Sequence, residues 1–188
     1  MTDASATRQD SGVDSDETRT LRGEMVTALI NDGVLPDDRW RHVFRVVPRH
    51  VLVPTYYHAS AQINGETDRE RWLRLVYSDT TVITQRRPDA VTSSGTMPSL
   101  VAMMLQALAV EDGHRVLQVA TGTGYTAALL CERLGSTQVT SIDVDSDLTA
   151  AARARLRRCG YLPTVITGDG RDGYPEHALY DRTIATFG

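Results

Sequence analysis

From Arg115 onward the chain repeats one pattern: a short apolar run, a turn, then a helical stretch. "RVLQVA" (115–120) reads as a buried strand, 124–134 as a helix and "QVTSID" (138–143) as a strand. A helix over 146–159, a strand in "PTVITG" and a last strand in "YDRTIATFG" continue the series. Short β-branched runs bounded by turn residues have strand length, and the segments between them have helical period. Strands that alternate with helices pair in parallel through right-handed crossovers, because a tight turn cannot join a parallel pair. The expected fold class is therefore α/β, with a parallel core and helices on both faces. No internal repeat is evident.

The first strand runs into Thr121-Gly122-Thr123-Gly124, and a helix rich in Ala and Leu follows at once. Glycine has no Cβ, so the backbone of such a turn can approach a small ligand closely. An acidic residue about 20 positions on, at the end of the next strand, suits the hydroxyls of a ribose. Asp143 stands 21 residues after Gly122. In an open α/β sheet the ligand lies beyond the carboxyl ends of the strands, so Asp169 of "GDG" shares the rim with Gly122 and Asp143. Asp169 reads equally as an acceptor for an adenine amino group or as an Asp before Gly in a turn. The turn alone is weak evidence, and NAD stays open on it. Ala127 and Ala128 stand where the dinucleotide pattern has its third glycine, which weakens a pyrophosphate site.

The first half carries fewer signals. Residues 1–18 are polar and acidic without apolar period and read as a disordered tail. Leu21, Met25, Ala28 and Leu29 have helical spacing, and "DDRWRHVFRV" fits a second helix that stops near Pro48. "HVLVP" reads as extended, residues 58–71 as polar with a turn at Asn64-Gly65, and "WLRLVYSDTTVIT" as strand or extended. "RRPDAVTSSGTMP" reads as a loop and "PSLVAMMLQALAV" as a helix with Pro98 in its first turn. Three regions follow: the tail 1–18, a helical and extended region 19–96, and a ligand-binding region 97–188.

A net charge of −4 gives no footprint for nucleic acid, and the Arg-rich "RARLRRCG" reads as a solvated helix face. No apolar run reaches the length of a membrane span, and no secretory h-region is visible. Cys131 and Cys159 lack metal-ligand spacing and suit a reducing, cytoplasmic setting. Cys131 reads as a small core residue, and His50 and His58 as structural or surface groups.

The sequence resembles the protein-L-isoaspartate (D-aspartate) O-methyltransferases. The likeness rests on "VVPRHVLVP", "TSSGTMPSLVA", "VLQVATGTGY" and "GDGRDGYPEHALYDRTIAT", in that order along residues 20–188. The resemblance implies the Rossmann-like class I methyltransferase sheet and S-adenosyl-L-methionine as cofactor. It places Thr121, Gly122, Thr123 and Gly124 near the methionine part, Asp143 at the ribose and Asp169 with Gly170 at the adenine end. It puts Thr96 at the family's active-site serine, two residues before Pro98, and Ser94 at the neighbouring hydroxyl position. The implied activity is methylation of an isoaspartyl carboxylate in a protein or peptide, without metal, by an enzyme that is monomeric at full length. Two alternatives accompany it: an aspartyl methyltransferase acting on a ribosomally made peptide, and a non-catalytic S-adenosylmethionine binder.

Such chemistry asks little of the side chains. A carboxylate is already ionised at neutral pH, so alignment and exclusion of water matter more than a strong base. Three positions depart from the family pattern: Gln118 for an acidic residue, Ala120 for the first glycine, and Thr96 for the serine. The family sheet has further strands beyond "RTIATFG", so the domain is expected to be C-terminally incomplete, with an open edge.

Overall fold

The computed structural model describes residues 14–186, and helix α1 (Asp16–Asn31) opens this region. Ser15 accepts from the Thr18 backbone N–H while the Thr18 hydroxyl accepts from the Ser15 N–H, a reciprocal cap that starts the helix. Of the tail expected over 1–18, residues 1–13 lie outside the described residues. Residues 14–18 correct that expectation, because Asp14 pairs with the buried Arg22 and the helix has begun by Asp16.

Asp37 caps α2 (Asp38–Val46), which is followed by a single helical turn, α3 (Arg49–Leu52). "HVLVP" is thus mostly helical rather than extended, since Pro48 fits ahead of a helix start and all four residues of the turn are buried. The polar 58–71 segment holds half of a hairpin, β1 (Thr55–His58) with β2 (Ala61–Asn64), and the first residues of α4 (Arg69–Val76). "WLRLVYSDTTVIT" is divided between α4 and β3 (Val82–Arg87). Its aromatic and branched composition favours strand, but Asp68 caps at the Arg71 N–H and Trp72, Leu73 and Val76 bury one helical face. The loop expected over 86–98 contains strand β4 (Ala90–Gly95), which pairs antiparallel with β3. These strands form one sheet in the order β2-β1-β3-β4.

The second half follows the expected alternation: α5 (Pro98–Leu108), β5 (Val116–Val119), α6 (Tyr125–Leu134), β6 (Val139–Asp143), α7 (Ser146–Arg158), β7 (Thr164–Thr167) and β8 (Arg182–Ala185). The strands are parallel in the order β7-β6-β5-β8. Helix α7 packs on β6 and β7, α6 on β6 and α5 on β8, while α2 reaches across to α6. One hydrophobic core runs through both halves, from Met25, Phe44 and Trp72 to Leu129, Val139 and Ile184. Trp40 in α2 and Trp72 in α4 are both buried in it, and the Trp72 indole donates to the Val53 carbonyl at 3.0 Å. Among the described residues no helix is long and apolar enough to cross a membrane.

Candidate active site

The carboxyl ends of β5, β6 and β7 open into a cavity of about 1030 Å³, bordered on its other side by β4 and Thr96. The turn after β5 is built around two glycines with positive φ, Gly122 at 52° and Gly124 at 89°. Gly124 caps α6, and a Cβ there would press on Ala152 and Leu156 at 3.4 Å. Asp143 fixes the turn from the next strand: one carboxylate oxygen accepts from the Gly122 N–H at 3.0 Å, the other from the Asp145 N–H at 3.1 Å. The glycine turn and the acidic residue expected to share a rim are therefore in direct contact. A carboxylate has about four acceptor positions, so Asp143 keeps capacity for ribose hydroxyls.

Gln118, at the position of the family's acidic residue, is buried in a polar chain. Its amide donates to the Ala120 carbonyl at 3.1 Å, and its Oε1 accepts from Ser141, whose hydroxyl meets Thr121 at 2.7 Å. Ala120 occupies left-handed backbone at φ 69°, which explains why a glycine suits that place. Thr123 accepts from the Tyr125 N–H at 3.3 Å.

Asp169 and Gly170 line the same cavity. A Cβ on Gly170 would lie 2.2 Å from Val119, so only glycine fits between this loop and β5. Arg171 engages both Asp169 oxygens, and this hydrogen-bonded guanidinium lowers the Asp169 carboxyl to about 2. Arg171 is itself largely exposed.

Thr96 and Ser94 both line the cavity. The Thr96 hydroxyl makes no hydrogen bond among the described residues, and its carbonyl accepts from Arg49 at 3.0 Å. Ser94 is exposed in β4, opposite Ile83 of β3. Ser93, which was not singled out from the sequence, is the hydroxyl that faces the glycine turn, 3.7 Å from where a Gly122 Cβ would lie. Strand alternation separates it from Ser94, a signal hidden while this stretch read as a loop. Arg49 and Tyr125 also line the cavity although only their motifs, "VVPRHVLVP" and "VLQVATGTGY", stood out in the sequence. Arg49 is fully buried, burial lowers its pKa, and its guanidinium lies 4.5 Å over the Tyr125 ring.

Cys131 is buried in α6, and burial pushes its thiol up to about 12, in keeping with a core residue. His50 is buried against the Tyr77 hydroxyl at 2.6 Å. No cluster with metal-ligating composition occurs among the described residues.

The family model described as protein-L-isoaspartate (D-aspartate) O-methyltransferase matches residues 20–188. Curated relatives of that name include proteins of Methanoculleus marisnigri, 33% identical over 177 residues, and Methylorubrum extorquens, 34% identical over 169 residues. The first alignment covers 93% of this chain and 70% of the relative, the second 90% and 62%. A solved protein-L-isoaspartate O-methyltransferase superposes with a TM-score of 0.73 at 26% identity, over 89% of this chain and 48% of its own. A Plasmodium falciparum structure, described as a protein of the same kind in complex with S-adenosyl-L-homocysteine, shares the fold at 15% identity and TM-score 0.67, over 87% of this chain and 72% of its own. The α/β architecture is accordingly the Rossmann-like methyltransferase fold. With the family model matched from residue 20 to residue 188, the chain belongs to the protein-L-isoaspartate (D-aspartate) O-methyltransferase family.

Proposed function

We propose that this chain carries out S-adenosylmethionine-dependent O-methylation of an isoaspartyl carboxylate in a protein or peptide. The observation that carries the reading is a single cavity lined both by a glycine turn tied to Asp143 and by Thr96, whose hydroxyl makes no hydrogen bond among the described residues. The cavity is large enough for a nucleoside cofactor together with an acceptor side chain. The residues also fit the cofactor chemically. Gly122 and Gly124 leave the turn without side chains, Asp143 has lone pairs to spare, and Gly170 sits where a Cβ would block the loop.

When bound, S-adenosylmethionine supplies a methyl group activated on a sulfonium. The chain's part is alignment. Asp143 holds the ribose, while the Thr121–Gly124 backbone shapes the methionine end, and Asp169 with Gly170 borders the adenine. Thr96 donates its hydroxyl to one oxygen of the acceptor carboxylate and leaves the other free to attack in line. Ser94 is a second donor at the exposed mouth. No general base is required, because the acceptor enters ionised.

A reducing, cytoplasmic setting suits the two free cysteines. Methyl-ester formation from labelled cofactor on paired peptides, isoaspartyl and aspartyl at one position, tests the reading. Preference for the isoaspartyl peptide supports it, and preference for the aspartyl peptide points to the peptide-modifying alternative. Cofactor binding with transfer to neither peptide would leave a binder only.

A further inference from the structure

By volume, the first of the fully buried side chains is a cation. Arg49 is 1% exposed, and it stands at the inner wall of the cavity that holds Thr96. A guanidinium withdrawn from water normally has a carboxylate beside it, since burying an unpaired charge is costly. Arg49 has none. Its Nε donates to the Val76 carbonyl at 2.9 Å and its Nη2 to the Thr96 carbonyl at 3.0 Å; Nη1 has no partner among the described residues. Asp79, the acidic residue that acts on it, is exposed and already accepts from the Ser99 N–H at 2.8 Å. Beneath the guanidinium lies Tyr125, whose buried hydroxyl has no partner within hydrogen-bond distance among the described residues, though Arg49 is near enough to act on it. Two donor groups therefore meet beside Thr96 with no anion between them.

A purely architectural role accounts for the two carbonyls Arg49 ties together. The Tyr125 ring face, 4.5 Å from the guanidinium, offsets part of the charge, but neither contact supplies an anion or satisfies the hydroxyl next to it. We infer that Arg49, with the Tyr125 hydroxyl, is the counter-charge for a carboxylate that enters beside Thr96, either the acceptor carboxylate or that of the cofactor's amino-acid end. This rests on the methyltransferase reading above. Because two of its nitrogens are held by carbonyls, Arg49 acts mainly as a fixed positive field and as the positioner of Thr96. An acceptor oxygen thus stays free for attack. Methylation neutralises an acceptor carboxylate, so the ester product would lose this attraction while the substrate keeps it.

Two binding comparisons on the unaltered enzyme and on R49K, R49M and Y125F decide the matter. For the acceptor, inhibition by an isoaspartyl peptide is compared with inhibition by the same peptide ending in a side-chain amide. For the cofactor, affinity for S-adenosylhomocysteine is compared with that for 5′-methylthioadenosine, which lacks the amino acid. The expected result is a preference of about tenfold or more for the carboxylate form on one of the two comparisons, kept largely in R49K and lost in R49M. Y125F, which removes a hydroxyl without a hydrogen-bond partner of ordinary length among the described residues, should fold normally and reduce the same preference several-fold. A structural bracket would weaken both members of each pair alike, and an R49M variant with unchanged ratios would overturn the inference. If R49M does not fold, no carboxylate preference on either comparison in the unaltered enzyme, or unchanged ratios in Y125F, overturns it as well. Absence of methyl transfer with the preference intact would sink the enzymatic reading and leave the charge site standing.

Discussion

Asp143 does two jobs with one carboxylate, and the pair of backbone N–H groups it accepts decides what its loss should cost. D143A should weaken S-adenosylhomocysteine binding by roughly 1.5–3 kcal/mol, as for loss of a charged hydrogen-bond partner, and should also loosen the glycine turn. Calorimetry checks it, and unchanged affinity removes Asp143 from the site. T96V keeps the branched shape and deletes the hydroxyl. Methyl transfer should fall by about 10- to 150-fold with cofactor affinity nearly intact. Ala120 offers the opposite sign: glycine in its place should relieve the left-handed strain and stabilise by about 0.5–1 kcal/mol in urea unfolding. At this scale the glycines and Asp143 were legible because spacing alone brings them to one rim. Arg49, Ser93 and Tyr125 were not, because their roles depend on what folds over them from distant parts of the chain.

Among the elements, the β3–β4 hairpin is the piece whose position matters most for the cavity. Asp145 fastens it: one oxygen caps α7 at the Asp147 and Leu148 N–H groups, and the other accepts from Gln85 at 3.2 Å and Arg87 at 3.4 Å. D145A should cost about 1 kcal/mol through the lost cap and speed hydrogen exchange in the hairpin amides. The Leu148 N–H, before the smaller effects of Gln85 and Arg87, holds the Asp145 carboxyl below its ordinary value. A depressed carboxyl pKa stabilises above the unfolded value and ceases to as acid protonates the folded group. Hairpin protection should therefore be steady at neutral pH and decline below about pH 4; protection independent of pH across that range would exclude Asp145 as the fastener. The strands and α-helices of the parallel half were legible in the sequence, because short β-branched runs alternate there with segments of helical period. Sequence reading missed β4 because Thr92, Ser93 and Ser94 face solvent or cavity and carry no apolar alternation, and it missed α4 because strand-like composition masked a capped helix.

For the molecule as a whole, the cavity lies between the two sheets, so a ligand there should bind the folded state alone. S-adenosylhomocysteine at about a hundred times its Kd should add about 2.7 kcal/mol, or roughly 5–11 °C in Tm for a domain of this size. A flat Tm at saturating ligand would contradict the assigned site. The α/β class was legible from alternation, whereas the antiparallel sheet of the first half was not, its strands being short and mostly polar outside Tyr56, Ile63 and Val82. The placement of Trp40 and Trp72 has a spectroscopic consequence. Both indoles lie in the first half, so intrinsic emission watches only the helices and antiparallel sheet, while far-ultraviolet dichroism draws on the parallel half as well. Because one apolar core joins the halves, the two signals should trace a single superimposable denaturation curve, and an emission change that precedes the dichroism would reveal the first half peeling away from a surviving parallel sheet.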